Sequence, residues 1–197
     1  MSILFFGGSF DPPHVGHLVL PRDAMERFGF EKVVFIPAYT SPFKAKEGHR
    51  ASALERLEMV KLATEGVPYY SVEPYEVLKG GISYTYDTVR YLKEAYGLDR
   101  VYWLMGDDAF WSLDRWYRWR ELLKDLTPVV MVRRHAPEEV KRRAAQMGIE
   151  DYLLFSSRRM EVSSTEIRER LKEGKDARFL VPDRVLEYIE KKGLYRP

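Results

Sequence analysis

Eleven consecutive residues, Gly7-Gly8-Ser9-Phe10-Asp11-Pro12-Pro13-His14-Val15-Gly16-His17, hold two of the four histidines of the chain. Imidazoles three positions apart share one helix face or its entry, and both can donate to phosphate oxygens. The glycine pair lets the backbone turn sharply and a ligand come close, and Gly16 leaves room for a flat or bulky ligand. A glycine pair alone is a turn, and a histidine here could simply cap a helix. The whole string, with two histidines, the glycines and Pro-Pro, has no shared structural need. Metal ligation by the pair lacks an evident third ligand.

The elements around this string must hold it over a ligand. Ile3–Phe6 reads as a buried strand directly before it. Val15–Phe28 reads as a helix stopped by Gly29, with Pro21 marking a kink or tight packing. The first-turn amides of that helix face whatever sits over the strand end, a ready anion site. Val33–Ile36, Tyr69–Val72, Val101–Met105, Val129–Val132 and Tyr152–Phe155 read as further strands. Ala51–Thr64, Tyr84–Tyr96, Pro137–Met147 and Asp183–Lys192 read as helices. Ser163-Ser164-Thr165-Glu166 fits a capping box opening a helix to Lys172, with Gly174 as its cap. Residues 37–50 read as a long mobile loop. The alternation predicts an α/β fold. It is Rossmann-like and doubly wound, with a mostly parallel sheet, helices on both faces and a small C-terminal helical part. One domain is expected over 1–197, with a core at 1–160 and a helical segment at 161–197. Ligands in such folds bind beyond the carboxyl ends of the strands.

Composition narrows the classes. The chain has 197 residues, of which 45% are hydrophobic and 31% charged, which excludes disorder. It has no cysteine, which excludes a disulfide scaffold, thiolate metal sites and a thiol nucleophile. The N-terminus lacks the pattern of a signal peptide, and no apolar run approaches a membrane span. A cytoplasmic protein without a membrane partner is the expectation. The net charge of +2 argues against a nucleic-acid partner. A homo-oligomer is compatible with the sequence and not required by it.

The string at 7–17 resembles the HxGH signature of the nucleotidyltransferase superfamily. Ser163-Ser164-Thr165-Glu166-Ile167-Arg168 resembles its second signature, ISSTxIR, with Val162 where Ile is common. Further segments resemble the bacterial nicotinate mononucleotide adenylyltransferases. These are Ile36-Pro37 with Pro42-Phe43-Lys44, Ser83-Tyr84-Thr85 with Thr88, Gly106-Asp107-Asp108 with Trp116-Tyr117, Arg56 with Met59, and Leu180-Val181-Pro182 to Leu194-Tyr195. The resemblance spans nearly the whole chain. Two departures are visible: Phe43 stands where the family usually has histidine, and Asp107 where a small or amide residue is commoner.

The resemblance implies adenylyl transfer from ATP to nicotinate mononucleotide, with release of pyrophosphate and no covalent enzyme intermediate. It implies Mg2+ carried on the ATP phosphates rather than in a protein cage. His14 and His17 would donate to the phosphates, their charge helping the transition state. Lys44 would reach the β- and γ-phosphates from one side and Arg168 from the other. Gly7, Gly8, Ser9, Phe10, Gly16, Gly106, Asp108, Arg134, Ser163, Ser164 and Thr165 would complete the ATP site. Ser9, Phe10, Lys44, Tyr84, Thr85, Trp116 and Tyr117 would hold the mononucleotide. In that site Trp116 stacks on the pyridine, and Thr85 and the Tyr117 amide meet its carboxylate.

Plainer readings stand beside these. Lys44 could be a solvated loop charge, Arg168 a helix-face ion-pair partner, Asp108 an N-cap, and Trp116, like Trp111 and Trp119, a core residue. Arg133-Arg134-His135 could hold phosphate or adenine, or form a solvated turn. Rival functions are a nicotinamide-preferring enzyme, a phosphopantetheine-type adenylyltransferase or cytidylyltransferase, and a non-catalytic nucleotide binder.

Overall fold

The computed structural model describes residues 2–44 and 50–197. Of the expected loop at 37–50, residues 45–49 therefore lie outside the described residues. Six strands form one sheet: β1 Ile3–Gly8, β2 Lys32–Pro37, β3 Tyr70–Val72, β4 Val101–Gly106, β5 Leu126–Val132 and β6 Leu153–Ser156. Their order is β3-β2-β1-β4-β5-β6, and every described pairing is parallel. The order reverses between β1 and β4, so a crevice opens at their carboxyl ends.

The helices are α1 Val15–Phe28, α2 Ala53–Thr64, α3 Tyr75–Lys79, α4 Thr85–Tyr96, α5 Asp107–Trp111, α6 Trp119–Leu122, α7 Pro137–Met147, α8 Ser164–Lys172 and α9 Asp183–Lys192. Strand side chains alternate between faces, and this divides the core. Phe5, Val34, Ile36, Trp103, Met105 and Val130 pack on one face with Val89 and Leu92 of α4 and Val140 of α7. Leu4, Val33, Phe35, Leu104 and Val129 pack on the other with Leu20 and Ala24 of α1 and Val60 of α2. The sheet is thus covered on both sides, as parallel sheets must be. Pro21 is buried inside α1, which is the tight packing its position predicts.

Several boundaries differ from expectation for identifiable reasons. β5 starts three residues early because it runs through Pro128, which pairs with Trp103 of β4. Pairing with β6 begins only at Val129, so the ring sits where the strand is still an edge on that side. α2 starts at Ala53 because Ser52 caps it reciprocally with Glu55. Ser163 Oγ accepts from the Glu166 N–H at 3.1 Å, one half of the expected capping box. The short α3 has too few residues to show a period.

A third apolar cluster joins α8 and α9 to α2, through Ile167, Val185, Leu186 and Ile189 against Met59 and Ala63. It fixes the start of α8 beside the end of β1. Ile189 is 2% exposed, so Ile189→Ala is expected to cost about 2–5 kcal/mol, read from chemical denaturation.

Candidate active site

The crevice holds two cavities. One, of about 800 Å³, is lined by Gly7, Gly8, Phe10, His14, Gly16, His17, Gly106, Arg133, Arg134, Arg158, Arg159, Ser163 and Ser164, among others. The second, of about 530 Å³, is lined by Gly7, Gly8, Ser9, Phe43, Glu76, Tyr84, Thr85, Gly106, Trp116 and Tyr117, among others. Phe6, Gly7, Gly8 and Gly106 belong to both. The shared wall is therefore made by the carboxyl ends of β1 and β4.

The two histidines are fixed by the backbone of α1. His14 Nδ1 accepts from the Gly16 N–H at 3.0 Å, and His17 Nδ1 accepts from the His14 N–H at 3.0 Å. The rings stack with centroids 3.7 Å apart. Because each Nδ1 is an acceptor, each neutral imidazole carries its proton on Nε2. Burial, followed by the Arg133 charge, lowers the His14 pKa to about 4. Burial, His14, Arg133 and Lys44 hold His17 well below its ordinary value. Both shifts favour the neutral form in the free protein near pH 7, where the pair offers N–H donors.

Gly16 lines the first cavity and also makes room for protein: a Cβ there would lie 2.9 Å from the His14 ring and 3.1 Å from Val162. At Gly106 a Cβ would come within 2.9 Å of the Arg133 guanidinium. Arg133 thus lies over the end of β4 and brings a cation to the shared wall. Phe10, at φ 52° and 2% exposed, packs edge-on to His17 with centroids 4.9 Å apart.

The two signature strings meet. Ser164 Oγ donates to the Pro12 carbonyl at 2.7 Å, and Arg168 Nη1 donates to the Asp11 carbonyl at 2.8 Å. The Asp11 carboxylate is buried and accepts from the N–H groups of Arg50 and Ala51 and from the Tyr195 hydroxyl. Arg56, wholly buried, donates to the carbonyls of Ser9, Ala38, Tyr39 and Ala51. These bonds satisfy carbonyls that no strand or helix pairs and lock the loop after β1.

Not every expected residue comes to the cavities. Lys44, Asp108, Thr165 and Arg168 line neither of the two. Arg168 is committed to the Asp11 carbonyl and to Thr165 Oγ1. Lys44 ends the 3-10 turn Pro42–Lys44, near enough for its charge to act on His17. Asp108 is half exposed and pairs with Arg134 at 2.9 Å, so the N-cap of α5 is Gly106 instead. Ser9 lines only the second cavity and Phe10 only the first.

Three further residues shape the site; the sequence marked Asp107 only as a departure, Arg133 only as one of two readings, and Glu76 not at all. Asp107 Oδ2 accepts from the N–H groups of Arg133, Arg134 and His135 at 2.8–3.1 Å, which shapes the loop after β5. Burial alone would raise its pKa, but these bonds and the His135 ring outweigh it and hold the carboxylate below its ordinary value. Its Oδ1 is buried and accepts nothing among the described residues. Asp107, Asp108 and His135 place ligand atoms within 4.8 Å of one another. The three N–H bonds take Asp107 Oδ2, and Arg134 pairs with Asp108 Oδ2. Arg133 is the second residue. The third is Glu76, whose pKa burial raises to about 7 despite bonds from Thr88 and Ser83. Thr88 Oγ1 donates to it at 2.7 Å.

The histidine shift makes a stability prediction. The folded His14 pKa lies below the unfolded value of 6.5, so the unfolded chain binds its proton first as pH falls. The stabilisation is complete above pH 6.5 and is lost as pH falls through about 4, on the order of 3 kcal/mol. His14→Asn keeps a capping acceptor and removes the titration. Urea midpoints of the two proteins are expected to converge between pH 7 and 4, and parallel curves would contradict the assignment.

Residues 5–170 match the cytidylyltransferase-like family. The chain is 42% identical over 198 residues to a protein of Hydrogenobaculum named as a probable nicotinate-nucleotide adenylyltransferase, covering 99% of this chain and 98% of that one. It is 38% identical over 195 residues to the nicotinate-nucleotide adenylyltransferase of Bacillus subtilis, covering 98% of each. Its fold is similar to that of the Plasmodium falciparum nicotinic acid mononucleotide adenylyltransferase complexed with NaAD. The TM-score there is 0.78 at 19% identity, over 98% of this chain and 96% of that one. With its two signature strings in contact at a β1–β4 crevice, the chain belongs to the cytidylyltransferase-like family and, within it, to the nicotinate-nucleotide adenylyltransferases.

Proposed function

We propose that the chain transfers the adenylyl group of ATP to nicotinate mononucleotide, forming nicotinate adenine dinucleotide and pyrophosphate. One observation carries this reading: two cavities of nucleotide size meet over Gly7, Gly8 and Gly106, with two oriented Nε2–H donors and Arg133 beside the junction. ATP occupies the first cavity, whose wall carries Arg133, Arg134, Arg158 and Arg159. The mononucleotide occupies the second, whose wall carries Trp116, Tyr84 and Tyr117.

A mononucleotide phosphate oxygen attacks the α-phosphorus in line. The new P–O bond forms as the bond to the β-phosphate oxygen breaks, and pyrophosphate leaves. No protein nucleophile is needed; positioning and charge neutralisation carry the reaction. His14 and His17 donate Nε2–H to the α-phosphate region, and Arg133 neutralises charge that grows there. Ser163 and Ser164 bring the start of α8 to the same cavity, where its amides favour the leaving phosphates. Lys44 adds charge from the second cavity's side, and Arg168 holds the loop after β1. Mg2+ travels on the ATP phosphates, since this wall is cationic and Glu161 is its one carboxylate among the described residues.

Thr85 and Tyr84 stand at the start of α4, which has no side-chain cap, so its first amides suit the pyridine carboxylate. A pyridine amide would lose that attraction. A chain without cysteine suits a reducing compartment, and we place the reaction in the cytoplasm, without a nucleic-acid partner. No helix among the described residues is long and apolar enough to cross a membrane.

The test is pyrophosphate release with Mg2+ and ATP, comparing nicotinate mononucleotide with nicotinamide mononucleotide. Faster release with the acid is expected, and release with neither would sink the assignment. His17→Ala is expected to lower turnover about 10²-fold or more. It also removes a capping acceptor, at about 0.5–2 kcal/mol of stability. Unchanged turnover would remove His17 from the mechanism.

A further inference from the structure

Phe43 is 66% exposed, yet its ring is one wall of the second cavity. A single exposed apolar side chain is ordinary; its place in the cavity wall is what bears on function. A short turn carries it. Pro42 opens the 3-10 turn Pro42–Lys44 with its φ fixed by the ring. The Lys44 N–H bonds the Ser41 carbonyl at 3.0 Å, and Ser41 Oγ accepts from the Phe43 N–H at 3.4 Å. These bonds hold the backbone that carries the ring at the edge of the cavity.

Near that ring lies Trp116, partly buried against the core. The two ring centroids are 6.4 Å apart and the planes are inclined at 56°. This is a wedge. A third ring centred about 5 Å from each would lie about 4 Å off the line joining them, within the normal range of aromatic pairs on both sides. Tyr84 and Tyr117, whose rings lie 4.6 Å apart, close the wedge on a further side.

From this arrangement we infer that Phe43 is a substrate-binding residue, the second side of an aromatic wedge that holds the pyridinium ring of the mononucleotide beside Trp116. The inference rests on the proposed assignment of the second cavity to the mononucleotide. The chemistry suits the ligand. A pyridine alkylated on nitrogen is a flat cation, and the faces of tryptophan and phenylalanine are the negative ends of their quadrupoles. Two aromatic rings set at an angle around one ring hold it without using its carboxylate. The wedge thus reads the ring, and the amides at the start of α4 read its substituent.

That separation is what the experiment tests. Steady-state pyrophosphate release is measured for the wild type, Phe43→Ala, Phe43→Tyr and Trp116→Ala, with each of the two mononucleotides and with ATP varied. Phe43→Ala is expected to raise KM for nicotinate mononucleotide about 3- to 30-fold, and that for nicotinamide mononucleotide by a similar factor. The acid-to-amide ratio and the KM for ATP are expected to stay within about twofold, and Phe43→Tyr is expected to restore binding. The residue is exposed, so its thermal midpoint serves as the folding control. An unchanged mononucleotide KM in Phe43→Ala, with Trp116→Ala impaired, would overturn the wedge and leave the reaction standing. A matching loss of ATP affinity would also overturn it. Absence of release in the wild type with either mononucleotide would instead fell the reading beneath it.

Discussion

The site depends on one local arrangement: the imidazoles of His14 and His17 are the N-terminal cap of α1. Each gives its Nδ1 to a backbone N–H of the first turn. That single use of one ring nitrogen decides the tautomer, the direction and the availability of the other. The Nε2–H groups point away from the helix because the Nδ1 atoms are spent on it. Much of the surrounding sequence serves this arrangement. Gly16 clears space for the His14 ring, and Phe10 backs His17. The Asp11 carboxylate and the Arg56 guanidinium tie the preceding loop to α2 and to Tyr195.

The opposite bank of the crevice is built by the same logic with different atoms. There a carboxylate, Asp107, gathers three consecutive backbone N–H groups after β5. The effect is to turn the chain so that Arg133 lies over Gly106. A Cβ at 106 would push the guanidinium from this place, so the glycine lets Arg133 lie close against the strand end. The parallel sheet makes these two loops neighbours, since the strand order reverses between β1 and β4. Neither loop could meet the other across an ordinary sequence of adjacent strands.

This explains which parts were legible in the sequence. The strands and long helices announce themselves by period and by their glycine stops, and the two signature strings name the crevice. The contacts inside those strings were not legible in the same way. Arg168 carries the pattern of a phosphate ligand, and its guanidinium also donates to the Asp11 carbonyl and to Thr165 Oγ1. Arg133 and Arg134 are adjacent and identical in type; the fold aims one at the histidines and pairs the other with Asp108. Glu76 lies seven residues before Ser83 with no periodic mark, and only the packing of α3 on α4 makes it a wall of the second cavity. Phe43 is visible as a departure from the family, but its partner Trp116 is 73 positions away. Local pattern carries elements; it does not carry the meeting of side chains from distant loops.

The charge state of the crevice has a consequence for how it can work. Four arginines on the wall of the first cavity are permanently charged, whereas the histidines nearest the junction are kept neutral by burial and by the arginine beside them. A polyphosphate entering this space screens Arg133 and adds negative charge, and both changes raise the affinity of the imidazoles for a proton. The negative charge on the transferring group is greatest at the pentacovalent stage. An interaction that strengthens as that charge grows stabilises the transition state more than the bound substrates, which is what raises turnover. A pair already protonated in the free site would instead hold ATP tightly from the start and add less at the critical moment. Neutral histidines beside fixed arginines therefore divide the work: the arginines recruit the anion, and the imidazoles respond to its reaction.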